Sequence, residues 1–334
     1  MNALPSMLRP HLLAGLAALL IPGLVACSSQ DVPQDTQSSN RTITDIDGQN
    51  VVVPLSPQRV VALSEPTLDN LLALGITPVG AVAGRGQATL PNYLIEIAGD
   101  VPLLGNVAQP NFEAIATAQP DIIFVDGTSI NNNPPVIAAL NKIAPVVYTG
   151  WAGGDWRDNL RITADAMNLS DEGEKLITAY DKKTEKVSKE LDAYADSTFS
   201  VVRWQGNSAS MILKELPAGR ALEDVGLRRP PNQDREGRGH SDPVSLENLH
   251  DIDADYIFFG TLGGSAVNNP QAGGSAGVEE AVKAITAAKD IPGFSALEAF
   301  QQDHIIPVDG SVWTSAGGPI LMNRLIDDIV EKLV

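Results

Sequence analysis

Cysteine is nearly missing from this 334-residue chain, and the single one, Cys27, stands close to the N-terminus. One thiol closes no intramolecular disulfide and builds no thiolate zinc site. Positive charge is also short: 23 Lys and Arg against 41 Asp and Glu leave a formal net charge of −18. Such a surface repels phosphate backbones and excludes nucleic acid as a partner. An anionic ligand would therefore have to meet a local arginine cluster. The four histidines (His11, His240, His250, His304) show no metal-ligand spacing, and the glycine-rich stretches lack the Gly-Lys-Ser/Thr of a phosphate loop. Asp251, Asp253 and Asp255 mimic the opening of a calcium loop, but Tyr256 and Leu262 stand where that loop needs Gly and Glu. Gly273-Gly-Ser275-Ala-Gly277 has the spacing of a nucleophile elbow, with Asp303-His304 downstream. An elbow must leave a buried strand, however, and Asn268-Asn-Pro-Gln-Ala reads as a loop. The sequence therefore predicts no enzyme.

Upstream of Cys27 the sequence is more informative. Arg9 is the only formally charged residue there; a short apolar run from His11 follows, then Leu24-Val-Ala-Cys27. A positive start, a run too short to span a membrane comfortably and small residues before a cleavage point describe an export signal over residues 1–26. The tetrapeptide resembles a bacterial lipobox, which implies acylation of Cys27 and anchoring at the outer face of the cell membrane, or in the periplasm. Residues 27–40 are polar and read as a flexible tether.

Beyond the tether, two alternating runs flank Asp47-Gly48 and predict a hairpin with a two-residue type I′ turn. From there β-branched runs alternate with helical stretches, the pattern of parallel α/β units. The predicted strands are 60–64, 79–83, 122–125 and 146–148 in a first lobe (41–168), and 199–202, 256–259 and 305–308 in a second (197–334). Between them, Leu176, Ile177, Tyr180, Val187, Leu191 and Tyr194 recur at helical spacing. They predict one helix over 171–195, about 37 Å long, capped by Ser170 or Asp171 and carrying a Glu185–Lys189 pair. The fold class expected is thus α/β, two Rossmann-like lobes with mainly parallel sheets, bridged by one long rigid helix within residues 169–196. The two halves also echo each other: Asn111-Phe-Glu-Ala-Ile…Asp-Ile-Ile-Phe recurs in type as Ser245-Leu-Glu-Asn-Leu…Asp-Tyr-Ile-Phe.

Ligands of open parallel sheets bind outside the carboxyl ends of the strands. The residues expected there are Glu65, Arg85, Asp126 and Trp151 from the first lobe, then Arg203, Trp204, Thr261 and Trp313 from the second. Arginine offers a planar fork to chelating oxygens, and tryptophan a rigid apolar surface. Together they suit a bulky, oxygen-rich, partly anionic ligand.

At this point the residues resemble a known family. Arg59-Val-Val-Ala-Leu-Ser followed by Leu71-Leu-Ala-Leu-Gly-Ile-Thr-Pro-Val-Gly is similar to the opening of the iron-siderophore and cobalamin substrate-binding proteins of ABC importers, as is Gln119-Pro-Asp-Ile-Ile. Val201-Val-Arg203-Trp, Leu222-Glu-Asp-Val-Gly-Leu-Arg-Arg-Pro, Val244-Ser-Leu-Glu and Trp313-Thr-Ser-Ala-Gly-Gly-Pro resemble its siderophore branch. The resemblance implies a ferric siderophore held between the lobes, near Arg85 and Arg203, by a monomer with no cofactor of its own. Iron then enters only within the cargo. It also implies that Glu113 and Glu247, one per lobe, dock onto the permease dimer of an ABC importer. Haem, with His240 as an axial ligand, and cobalamin are the alternative cargoes.

Overall fold

Strands that are apolar at every position need cover on both faces, and this chain supplies it with helices. The computed structural model describes residues 39–129, 133–263 and 276–334. The export signal, Cys27, most of the tether and the Ser275 elbow lie outside these described residues. A hairpin of β1 (Asn40–Thr44) and β2 (Asn50–Pro54) comes first. Its connection is a five-residue loop, not the predicted two-residue turn. The Asp45 carboxylate accepts the N–H groups of Asp47 and Gln49 and rounds the loop off, so that only Gly48, at φ 76°, needs the left-handed region.

The first large sheet contains β3 (Val60–Ala62), β4 (Gly80–Ala83), β5 (Leu103–Asn106), β6 (Gln109–Pro110), β7 (Ile122–Val125) and β8 (Val146–Tyr148). Their order is β6-β5-β4-β3-β7-β8, parallel except at β6. The second contains β9 (Phe199–Gln205), β10 (Ser208–Met211), β11 (Asp242–Val244), β12 (Tyr256–Gly260) and β13 (Ile305–Pro307), in the order β11-β10-β9-β12-β13. Here β9, β12 and β13 run parallel, while β10 pairs antiparallel with β9 and β11 antiparallel with β10. The expected α/β class with two sheets is therefore found, the first mainly parallel and the second mixed. In each sheet the chain leaves a central strand, β3 or β9, to one side and later returns to its other side. That reversal opens a crevice at the carboxyl ends of β3, β4 and β7 and of β9 and β12.

The connecting helix is shorter than predicted. It spans Ser170–Ser188 and is followed by a separate 3-10 turn at Asp192–Tyr194, so the straight rod is about 28 Å long. Neither Ser170 nor Asp171 caps it, because the helix starts after Leu169 with no side-chain cap. The Glu185–Lys189 pair forms at 3.1 Å. Ile177, Tyr180, Val187 and Leu191 join one core with Trp156 and Leu160, which follow the first sheet, and with Phe199, Trp313 and Leu321–Ile329 of the second half. The C-terminal helix Pro319–Leu333 packs on this core as well.

That last helix ties the halves together in a way the sequence pattern did not reveal. The helix Glu65–Ala73 begins with a reciprocal cap: Thr67 N–H donates to Ser64 Oγ, and Ser64 N–H donates back to Thr67 Oγ1. One turn on, the fully buried Asp69 carboxylate accepts the N–H groups of Ile320 and Leu321, both at 2.9 Å, and the Tyr93 hydroxyl at 3.1 Å. A carboxylate of the first lobe thus caps the C-terminal helix of the second, where that helix exposes its unsatisfied N–H groups. Burial, only partly offset by these hydrogen bonds, raises the Asp69 pKa to about 6. The internal echo is looser than predicted, because its second copy, Leu246–Ile252, is a kinked 3-10 stretch with Asn248 out of helical geometry.

Candidate ligand-binding cleft

Strand alternation decides which predicted residues reach the crevice. The strand predicted to end at Val202 runs on to Gln205, so Arg203 and Trp204 both lie within β9 and point to opposite faces. Arg203 lines the cleft, and Trp204 does not. Trp204 is buried in the second-lobe core against Phe259 and Phe294, with its indole N–H on Gly206 O. Trp313 is likewise a core residue: it stacks on Phe258 at 4.0 Å and donates to Asp328 at 2.9 Å. Neither tryptophan is available to a ligand. The stretch that follows Trp313, Ser315 to Gly317, lines the cleft instead.

Arg85, at the end of β4, and Arg203 face the same cleft from opposite lobes. Each guanidinium is aimed by a carbonyl, Thr128 O for Arg85 and Thr314 O for Arg203. Burial, followed by the charge of Arg85, lowers the Arg203 pKa to about 10, so it remains charged near neutrality. Its Nε is buried with no hydrogen-bond partner among the described residues. Glu65 sits behind this pair and does not line the cleft. Its Oε1 accepts Arg85 N–H at 2.8 Å, its Oε2 accepts Ser315 Oγ at 2.8 Å, and Arg85 Nε lies 3.9 Å away. Glu65 therefore anchors Arg85 to the opposite lobe, and the sequence assignment of it as a ligand contact gives way to that role.

Trp151 is the aromatic surface of the cleft. It is 52% exposed, and its indole N–H donates to Asp47 in the hairpin loop at 2.8 Å. The hairpin thus fixes the orientation of this ring. Trp156, hidden from strand-end logic because it opens the helix Trp156–Ala166, also lines the cleft; its Nε1 is buried with no partner among the described residues. A tryptophan in the first turn after a glycine-rich loop was the available signal. Arg220, also missed, lines the second-lobe wall, donates to Gly153 O at 3.0 Å and lies 3.8 Å from Asp155. Gly153 and Gly239 let the facing loops touch, since a Cβ on Gly239 would lie 2.2 Å from Ala152 O.

Two further groups set the electrostatics. Partial desolvation, then Arg85, Arg203 and Arg238, push the His240 pKa below its usual value, so the imidazole in the cleft wall is neutral near pH 7. Asp126, at the end of β7, accepts the Thr128 N–H and hydroxyl, and burial raises its pKa to about 6. Thr261 follows β12 but does not line the cleft. Glu113 and Glu247 stand far from this chemistry in kind: both are exposed, each in the first turn of its short helix. Each follows an exposed apolar residue, Phe112 or Leu246.

Two open-sheet lobes with a shared cleft at their strand ends define a two-lobed binding protein. The chain belongs to the periplasmic binding protein family, whose profile matches residues 60–311. It is 30% identical to the probable siderophore-binding lipoprotein YfiY of Bacillus subtilis over 314 residues, covering 92% of each chain. It is 24% identical to the Fe(3+)-citrate-binding protein YfmC of the same organism, covering 95% of this chain and 94% of that one. Among solved structures, Staphylococcus aureus SirA complexed with staphyloferrin B superposes with a TM-score of 0.72 at 25% identity, covering 88% of this chain and 98% of that one.

Proposed function

We propose that this chain is an extracytoplasmic lipoprotein that captures a ferric siderophore between its lobes, 41–168 and 197–334, and delivers it to an ABC importer permease. The observation that carries the reading is the convergence of Arg85 and Arg203 from opposite lobes on one cleft, beside the exposed indole of Trp151. Two half-buried guanidiniums that face one cleft repel, and a polyanionic chelate between them turns that repulsion into charge-assisted hydrogen bonds. The names of the siderophore- and citrate-binding relatives support the same cargo. Haem and cobalamin come second: among the described residues that line the cleft, His240 is the only imidazole and there is no tyrosine.

In this reading the chain is a monomeric carrier, not an enzyme, and iron is part of its cargo. Cys27 carries the lipid that holds it at the membrane. Glu113 and Glu247, exposed at equivalent places in the two lobes, supply one carboxylate each to a two-fold permease. The test uses vesicles bearing the permease, with two readouts. The double variant Glu113→Lys, Glu247→Lys is expected to abolish siderophore delivery while binding ferric siderophore as the parent chain does. Delivery that survives both charge reversals contradicts the docking assignment, and a parent chain that binds no ferric chelate contradicts capture.

A further inference from the structure

One carboxylate in the cleft wall has no part in holding an anion. Glu215 lines the cleft beside Arg220 and Gly239 and is only 6% exposed. Its Oε1 accepts Gly239 N–H at 3.2 Å, while its Oε2 is buried with no hydrogen-bond partner among the described residues. Among the described residues no neighbouring cation forms a side-chain hydrogen bond or ion pair with this carboxylate. Arg220 donates through Nε to the backbone oxygen of Glu215 and through Nη2 to Gly153 O, and its nearest carboxylate is Asp155. Arg229 senses the charges of Asp234 and Glu215 from inside the lobe, but donates only through Nη2, to Ile212 O and Gln233, and its Nε and Nη1 have no partner among the described residues.

A buried carboxylate oxygen without a partner is costly, and it repels every anionic arm of a chelate. Glutamine would keep the Gly239 hydrogen bond without the charge. What the extra charge can do that a glutamine cannot is attract a cation. We infer that Glu215 recognises a cationic hydrogen-bond donor on the ligand: the cargo is an anionic ferric chelate whose arm beside the 215–220 segment carries an ammonium group. The inference rests on the proposed capture of a ferric siderophore and narrows its class to amino-bearing chelates. The cleft then treats the two ends of its ligand differently. Arg85 and Arg203 hold the anionic iron centre, and Glu215 holds the cationic arm.

The test is tryptophan fluorescence titration with a matched pair of ferric citrate-type chelates, one with a free primary amine and the other with hydrogen in its place. The parent chain is expected to prefer the amine-bearing chelate about 10-fold or more. Glu215→Gln is expected to lose that preference through weaker binding of the amine-bearing chelate, with the desamino chelate bound as well or better. An unchanged melting temperature for Glu215→Gln shows that the Gly239 contact is kept. Equal affinity of the parent chain for the two chelates overturns the inference, as does a variant that weakens both alike. Either result leaves capture of ferric chelates standing, whereas a parent chain that binds neither chelate overturns both.

Discussion

Arg203→Ala is expected to weaken ferric siderophore binding by about 100-fold, because it removes one member of a half-buried cationic pair that a trianionic or polycarboxylate chelate would bridge. The guanidinium is desolvated before any ligand arrives, so its hydrogen bonds to an anion form without the usual competition from water. Its Nε is an unspent donor in the cleft wall. Arg203→Lys should fall between the two, since an ammonium keeps the charge but cannot fork across two oxygens or reach Thr314 O in the same geometry. Arg85→Ala is expected to act in the same direction; Glu65 loses its 3.9 Å ion pair with the guanidinium but keeps the residue-85 N–H and the Ser315 hydroxyl. Ligand-free Arg203→Ala should melt close to the parent temperature, because the loss of the Thr314 contact is offset by removal of a buried charge. Fluorescence titration of the variants reads the affinities, and Arg203→Ala binding at parental affinity would contradict the assignment.

Asp69→Ala should lower stability by about 3 kcal/mol, since it leaves helix N–H groups and the Tyr93 hydroxyl buried and unpartnered. The loss is also predicted to depend on pH. The folded pKa of Asp69, about 6, lies above its ordinary value of 3.8, so the folded chain holds more protons than the unfolded chain between those values. The contribution of this titration is fully present below about pH 4 and is lost as pH rises through about 6. The stability gap between parent and Asp69→Ala is therefore expected to be larger at pH 5 than at pH 7. Urea unfolding at the two pH values measures the gap, and background titration common to both chains cancels. A gap that is constant, or larger at pH 7, would contradict the assigned electrostatics; a negligible gap at both would contradict the cap itself.

The residues that set the fold were legible because parallel strands announce themselves as fully apolar runs. All seven predicted strands lie where Val60–Ala62, Gly80–Ala83, Ile122–Val125, Val146–Tyr148, Phe199–Gln205, Tyr256–Gly260 and Ile305–Pro307 form. What periodicity could not show was the direction of a side chain at a strand end. Extending β9 by three residues moved Trp204 from a presumed cleft position to the core while leaving Arg203 on the cleft face. Trp313 looks like a strand-end residue in sequence, yet the 310–313 helical turn after β13 turns it inward onto Phe258. The hairpin was visible, but its use was not. Asp47 reaches Trp151 across 104 residues of sequence, and Asp69 reaches Ile320 across 251. Contacts of that span leave no local pattern. The short antiparallel strand Ser208–Met211 was hidden for a related reason, since Ser-Ala-Ser-Met is neither strongly apolar nor β-branched.

The central claim is that a ferric siderophore lies between Arg85, Arg203 and Trp151. Fluorescence titration of the chain beginning after Cys27, with ferric hydroxamate, ferric catecholate, ferric citrate-type siderophores, haem and cobalamin, tests it most directly. The account predicts saturable quenching by a ferric siderophore at sub-micromolar concentration (about −8 kcal/mol or stronger), with weak responses to haem and cobalamin. Most of that quenching should disappear in the double variant Trp151→Phe, Trp156→Phe, because these two line the cleft while Trp204 and Trp313 are enclosed in the core. Tight quenching by haem alone, with a shifted Soret band, would contradict the cargo while leaving the two-lobed fold in place.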